Sequence, residues 1–191
     1  MKNIYIFVLL LSACSGYTPQ NWQYKVLNSA KVEELERDAE IERLIKELAS
    51  TDEVRRKSAF DKLVSFGRYA QPHLLRTARG IGDKEFLVSA VRVLSAMDDQ
   101  SISDQFIELA RSAPLPEVRY EAVNAIGKLK NRTTVSALIY ILEGEKVDVV
   151  KGKIISTLGE LKDDRAVEPI LKYLNAPSST MRQNVFWALG E

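Results

Sequence analysis

The strongest constraint on the fold of this chain is an internal repeat with a period of 31 or 32 residues. In each copy the apolar residues recur near i, i+4, i+8 and i+11, which is the spacing of one face of an α-helix. A helix is therefore predicted at the start of every repeat. The copies are RRKSAFDKLVSF, FLVSAVRVLSAM, VRYEAVNAIGKL, VKGKIISTLGEL and MRQNVFWALG, which begin at Arg55, Phe86, Val118, Val150 and Met181.

A second helix is predicted after each of the first four copies. The segments QPHLLRTA, DQFIELA, SALIYIL and EPILKYL align at the same period. Because one helix pair cannot bury its apolar faces alone, the pairs must stack into a continuous core. We therefore predict an all-α fold, an α-solenoid (α-α superhelix, armadillo-like). The aligned apolar positions of the second helices are Leu74, Phe106, Leu138 and Ile170, and Ala78, Ala110, Leu142 and Leu174.

The predicted organisation has three parts: a signal peptide at 1–13, a tether at 14–28 and a solenoid at 29–191. Repeats are expected near 30–50, 51–83, 84–113, 114–145 and 146–177, with an incomplete one at 178–191. The last segment leaves Phe186 and Trp187 partly uncovered, so we expect the chain to continue past Glu191 or a partner to cover this edge. The first helix should turn Val32, Leu35, Ala39, Leu44, Ile45 and Leu48 to the core.

The links between helices carry capping signals. We predict a capping box at Ser50 and Glu53 and a helix start at Pro116. The predicted N-caps of the later links are Ser101, Thr133 and Asp163.

The repeated residues resemble HEAT-like repeats of the phycobilisome-lyase (PBS lyase) type over roughly residues 40–191. That pattern is Val-Arg, then Ala, then Ala-Leu-Gly-x-Leu-x-Asp, and later Ala-Val-x-x-Leu. The second copy departs from it at Leu87 and Ser95. The resemblance implies that the second helices form the concave face. The matching residues are Val118-Arg119, Ala122, Ile126-Gly127 and Leu129; Val150-Lys151, Leu158-Gly159, Leu161, Asp163 and Ala166-Val167; and Met181-Arg182 and Ala188-Leu189-Gly190.

The amino terminus has the form of an export signal. Lys2 precedes an apolar run from Ile4 to Leu11 that is too short to span a membrane, which takes about 20 residues. Leu11-Ser12-Ala13-Cys14 resembles a bacterial lipobox, which implies a lipid-anchored protein of the cell envelope acylated at Cys14. Ser15 favours the periplasmic side of the outer membrane over the inner membrane. The alternative is a soluble exported protein with a coincidental cysteine.

Composition and motifs exclude several kinds of site. The net charge of +1, from 27 basic and 26 acidic residues, argues against nucleic acid as a partner. His73 is the only histidine, and we assign it a surface or capping role. The sequence contains neither a catalytic triad nor a metal-ligand cluster. We therefore predict no catalytic residues, no metal and no cofactor.

One column of the second helices is a candidate protein-binding surface. Arg76, Glu108, Tyr140 and Lys172 are each 32 residues from the next and lie opposite the apolar face. Stacked repeats would align them on one exposed surface, where solenoids bind extended partners. The alternative is a solvated surface without a partner.

The predicted function is a lipid-anchored, non-enzymatic interaction scaffold that binds another envelope protein. The alternative is a protein like the bilin lyases or isomerases, or another HEAT-like protein that binds a small ligand. Bilin lyases attach a chromophore to a cysteine of a client protein, and under this alternative the resemblance implies the same activity here. They act in the cytoplasm, which an export signal disfavours.

Overall fold

The structure is a computed structural model that describes residues 29–190, and every regular element in this range is helical. The chain divides into two units, Met1–Glu34 and Leu35–Glu191. The described part of the first unit is the start of one helix, where Lys31 pairs with Glu34 at 2.9 Å. The lipobox, Cys14 and the tether lie outside the described residues.

The second unit is a stack of helix pairs, as the repeat predicts. Helix α1 spans Ser29–Glu47. The first helices of the repeats are α2 (Glu53–Phe66), α4 (Lys84–Ala96), α6 (Pro116–Leu129), α8 (Asp148–Glu160) and α10 (Ser179–Gly190). The second helices are α3 (Gln71–Ala78), α5 (Ser103–Ser112), α7 (Val135–Gly144) and α9 (Val167–Leu171).

Three links between a first and a second helix share one backbone conformation. A left-handed residue with φ near 50° ends the first helix, and an Asx residue follows. The side chain of that Asx residue accepts the backbone N–H two residues later, which is the hydrogen bond of an Asx turn. Asp163 is thus a cap as predicted, whereas Ser101 and Thr133 donate to the true caps, Asp99 and Asn131.

The start of α2 also differs from the predicted capping box. Asp52 caps the helix by accepting the N–H groups of Val54 and Arg55. Ser50, two residues before the cap, accepts the N–H of Asp52 with its Oγ. The start of α6 at Pro116 is as predicted.

The core lies between the two helices of each pair. Leu74, Phe106 and Leu138 are fully buried, which confirms the alignment of the second helices. In α1, Leu44, Ile45 and Leu48 are buried as predicted, but Leu35 and Ala39 are exposed. The buried face runs from Ile41 through Leu44, Ile45 and Leu48 at i, i+3, i+4 and i+7, and Leu35 points away from it.

The first helices pack directly against one another, whereas the second helices are spaced more widely. The close approach depends on glycine, because a Cβ on Gly159 would lie 2.6 Å from Ala188 Cα. A Cβ on Gly127 would lie 3.3 Å from Thr157 Cγ2. We call the closely packed layer of first helices the inner layer and the layer of second helices the outer layer. The concave face expected for the second helices stays a prediction.

Phe186 is exposed although its repeat position is a core position. The equivalent residues Val91, Val123 and Ile155 are fully buried, whereas Phe186 is 63% exposed and its neighbour Trp187 is 44% exposed.

None of the helices in residues 29–190 has both the length and the apolarity that a membrane span needs.

Candidate functional site

The inner layer carries two adjoining cavities that share Tyr120 and Val149, and together we call them the inner groove. Their volumes are about 370 and 430 Å³. Both fall within the range of about 300–1,000 Å³ that is typical of small-ligand pockets. The inner groove crosses α4, α6, α8 and α10 near their amino-terminal halves.

The repeat itself places the side chains of the inner groove. Two positions of the first helices, three residues before and one residue after a core position, recur in this groove. The first set is Val88, Tyr120 and Gly152, and the second is Arg92 and Ser156, with Asn124 contacting Glu121 between them. In α10 the groove residue is Asn184.

One wall of the inner groove holds a carboxylate beside a guanidinium group. Glu121 is 7% exposed, and Arg92 Nε lies 3.5 Å from its Oε1. Asn124 Nδ2 donates to the same oxygen at 3.3 Å. This wall therefore offers a nearly buried acceptor next to a cation that remains half exposed.

The middle of the inner groove is aromatic and apolar. The ring of Tyr120 is 36% exposed, and Lys153 Nζ lies 5.9 Å from its centroid. Val149 is 69% exposed at the point where the two cavities meet. Such a surface, with charges of both signs at its edges, suits a flat amphipathic ligand.

The predicted protein-binding column lies on the outer layer and is exposed. Three of its members form ion pairs between repeats: Arg76 with Glu42 at 2.6 Å, Glu108 with Arg79 at 2.6 Å, and Lys172 with Glu143 at 3.1 Å.

Tyr140 is the exception in this column. It is 69% exposed and lines an outer cavity of about 710 Å³ together with Arg111 and Lys146. Partner binding by the column stays a prediction.

His73 is more enclosed than a surface residue. Its side chain is 15% exposed, and Nδ1 lies 2.6 Å from Glu42 Oε1 while Nε2 lies 3.7 Å from Asp38 Oδ1. It therefore joins α3 to α1. Within residues 29–190 no group of His, Cys, Asp and Glu side chains is arranged to hold a metal ion.

None of the carboxylates with a shifted pKa in residues 29–190 lines the inner groove; Glu40 lies on α1, where a hydrogen bond from Arg43 lowers its pKa, and the others lie in the links. Hydrogen bonds from Ser101 and Gln71 lower the pKa of Asp99 to about 2. The guanidinium of Arg165 holds the pKa of Asp163 well below its usual value. Burial alone would raise the pKa of Glu145, but hydrogen bonds from Arg119 and two backbone N–H groups outweigh it and lower the pKa.

Sequence reasoning placed its candidate column on the second helices and did not single out the residues of the inner groove. A usable signal was present, because Arg92, Asn124 and Ser156 are polar residues that recur at one fixed position of the repeat, directly after a core residue.

The comparisons with known proteins agree on the repeat type. Residues 72–158 match the family described as HEAT repeats, and residues 150–176 match the PBS lyase HEAT-like repeat. The chain thus contains HEAT-like repeats, and the all-α solenoid is confirmed. The search of curated proteins found no match.

Among solved structures, the chain resembles the complex of CpcE and CpcF of phycocyanin lyase from Nostoc sp. PCC7120. The TM-score is 0.56 at 22% sequence identity, and the match covers 78% of this chain. The chain spans only 63% of the matched chain. This likeness shows the fold.

Two predictions are wrong in the light of these findings: that the chain is not an enzyme, and that it is a lipid-anchored interaction scaffold. The PBS lyase-type repeat and the phycocyanin lyase neighbour both favour the alternative, a protein of the bilin lyase type.

Proposed function

We propose that this protein is a bilin lyase-type enzyme that holds an open-chain tetrapyrrole in the inner groove and delivers it to a client protein. One observation carries the proposal. The segment that matches the PBS lyase repeat, residues 150–176, supplies Gly152, Lys153 and Ser156 to the groove wall. The repeat type and the cavity therefore coincide in one helix.

The surface of the inner groove supports this ligand class. A bilin combines a conjugated, flat body with pyrrole N–H donors and carboxylate side chains. Tyr120 and Val149 offer an apolar surface for the body, while Arg92 and Lys153 lie where carboxylates can pair with them. The ring of Tyr120 stacks on flat partners at little entropic cost, since few of its rotors must be fixed.

The chemistry asks little of the enzyme's own residues. In the attachment step the client's cysteine thiol adds across a carbon–carbon double bond of the bilin. The sulfur forms the new bond to carbon, the thiol proton goes to the adjacent carbon, and nothing leaves. The protein's contribution is to orient the double bond towards the thiol and to exclude water, which raises the rate by positioning.

A protein partner belongs to this proposal. The solved neighbour is a complex of two lyase subunits, and this chain covers 63% of the matched one. We propose that a second subunit or the client docks on the outer layer at Tyr140. The aromatic ring and the nearby Arg111 are residue types that dominate binding energy at interfaces.

The test uses the purified full chain with phycocyanobilin and apo-phycocyanin subunits. We expect an induced circular dichroism signal of the bilin on binding, and bilin fluorescence that stays with the client after denaturing electrophoresis. Lys153→Glu should weaken bilin binding, whereas Lys46→Glu on exposed α1 makes the same charge change away from the inner groove. Absence of bilin binding to the unmodified chain would refute the proposal.

Acylation at Cys14 is a separate proposal, based on the lipobox Leu11-Ser12-Ala13-Cys14. Cells are grown with an alkyne-tagged fatty acid, and the protein is captured and probed for the tag. We expect labelling and membrane association that Cys14→Ser abolishes. An unlabelled wild-type chain would refute acylation and leave the groove proposal intact.

A further inference from the structure

Glu121 is a nearly buried carboxylate whose hydrogen bonding is weak. It is 7% exposed and lies in the wall of the inner groove. Its contacts to Asn124 at 3.3 Å and to Arg92 at 3.5 Å are both at or beyond the long end of the range for N–H···O hydrogen bonds. A carboxylate this deeply buried normally has shorter and more numerous partners.

Glu145, a second buried carboxylate in the same unit, accepts a full set of short hydrogen bonds. Its oxygens accept from Arg119 Nε at 2.8 Å and Nη2 at 3.0 Å. The backbone N–H groups of Lys146 and Val147 add bonds of 2.8 and 2.9 Å. Glu121 therefore retains acceptor capacity that Glu145 has used.

Repeat packing does not require an acid at the position of Glu121. The equivalent residues of the other first helices are Ser58, Ser89, Lys153 and Asn184, so both polar and basic side chains fit there. The carboxylate is a feature of α6 alone, in the repeat that contributes Tyr120 to the centre of the inner groove.

We infer that Glu121 accepts the pyrrole N–H groups of the bound bilin, while Arg92 leaves Glu121 and pairs with a propionate carboxylate of the same ligand. This inference rests on the proposed function. The side chain of Arg92 is 53% exposed and therefore has room to turn towards the ligand. The ligand replaces one long ion pair by two charge-assisted contacts, which are shorter and stronger.

The experiment separates the two contacts by changing both partners. Phycocyanobilin and its dimethyl ester, which has lost both carboxylate charges, are titrated into the full chain and into Glu121→Gln and Arg92→Gln. Absorbance gives each Kd. The control is Glu160→Gln, an exposed glutamate on α8 that lines neither cavity.

Glu121→Gln should raise the Kd of both ligands about 10- to 100-fold, the range that losing hydrogen bonds to a charged group produces. Arg92→Gln should weaken the free acid and leave the ester unchanged. Glu160→Gln should bind both ligands as the unmodified chain does. Thermal melting by circular dichroism checks that each variant is folded.

Two outcomes oppose the inference and differ from each other. If the unmodified chain binds bilin and Glu121→Gln binds both ligands equally well, the role of Glu121 is refuted and the proposed function stands. If the unmodified chain binds neither ligand, the proposed function fails and the inference fails with it.

Discussion

Two buried glutamates in one repeat, Glu121 and Glu145, differ in how completely they are hydrogen-bonded. Glu145 lies in the link after α7, where Arg119 and two backbone N–H groups hold it at 2.8–3.0 Å. Glu121 lies in the wall of the inner groove, where its contacts are 3.3 and 3.5 Å. The first arrangement is complete without a ligand, whereas the second has room for one. Both glutamates are buried, so burial does not distinguish a candidate site from a structural ion pair. The incomplete hydrogen bonding of Glu121 does.

The largest expected loss of stability comes from breaking the buried ion pair of Arg119 and Glu145. Arg119→Met leaves the charge of Glu145 buried with fewer partners, which should lower the free energy of unfolding by about 3–5 kcal/mol. Urea denaturation followed by circular dichroism measures it. As a matched control, Arg79→Met removes the exposed pair with Glu108 and should cost about 0–1 kcal/mol. Equal losses for the two variants would contradict the contrast.

A second variant tests the repeat alignment on which both glutamates depend. Leu138 is fully buried in α7, so Leu138→Ala should cost about 2–5 kcal/mol. Tyr140→Ala, two residues later on the exposed side, should stay within about 0.5 kcal/mol. A loss below about 0.5 kcal/mol for Leu138→Ala in the same urea titration would mean that the helix alignment is wrong.

The spacing of the inner layer is the next test, because it shapes the inner groove around Glu121. Gly159→Ala forces α8 and α10 apart and should cost about 1–3 kcal/mol. Gly144→Ala is the control, since a Cβ there meets nothing within 4 Å. It should be neutral or stabilise by up to about 1 kcal/mol. Thermal melts of the two variants measure the difference. Equal melting temperatures would contradict the close approach of the inner layer.

The acid response of a link carboxylate should be smaller. Asp99 has a folded pKa of about 2 against an ordinary value of 3.8, so its stabilisation is present above 3.8 and is lost as the pH falls towards 2. Asp99→Asn should keep the cap, as Asn131 does in the next repeat, and should reduce the stability lost between those pH values. Urea titrations at pH 4.5 and pH 2.5 provide the comparison; an unchanged difference would contradict the assignment.

The smallest effect should come from Arg92→Met. Its pair with Glu121 is long and half exposed, so removing it should change the stability of the ligand-free chain by less than about 1 kcal/mol. A loss as large as that of Arg119→Met in the same assay would place Glu121 among the structural carboxylates.

The fold could be predicted because the same pattern of apolar residues recurs in several repeats. Leu74, Phe106 and Leu138 occupy equivalent positions and are all buried, so an error in one copy is corrected by the others. The helix α1 has no such copies to compare, and there the prediction placed Leu35 inside when Ile41 is the buried residue.

The inner groove could not be predicted because it depends on how closely neighbouring helices pack. Sequence periodicity shows which residues face away from the core, and both Tyr140 and Tyr120 satisfy that condition. Only the spacing between neighbouring helices, set by contacts such as that of Gly159 with Ala188, decides where a groove forms. The proposed function needs no nucleophile on this chain, so the lack of a catalytic triad in the sequence does not test it.

The left-handed residues Asp98, Lys130 and Lys162 end three first helices in the same conformation, 32 residues apart. These three joints are alike, so the helix pairs that they connect are equivalent units. Inserting one more 32-residue unit among them would lengthen the inner groove by about 8–10 Å, the distance from one helix axis to the next. The number of repeats would therefore set the length of the groove.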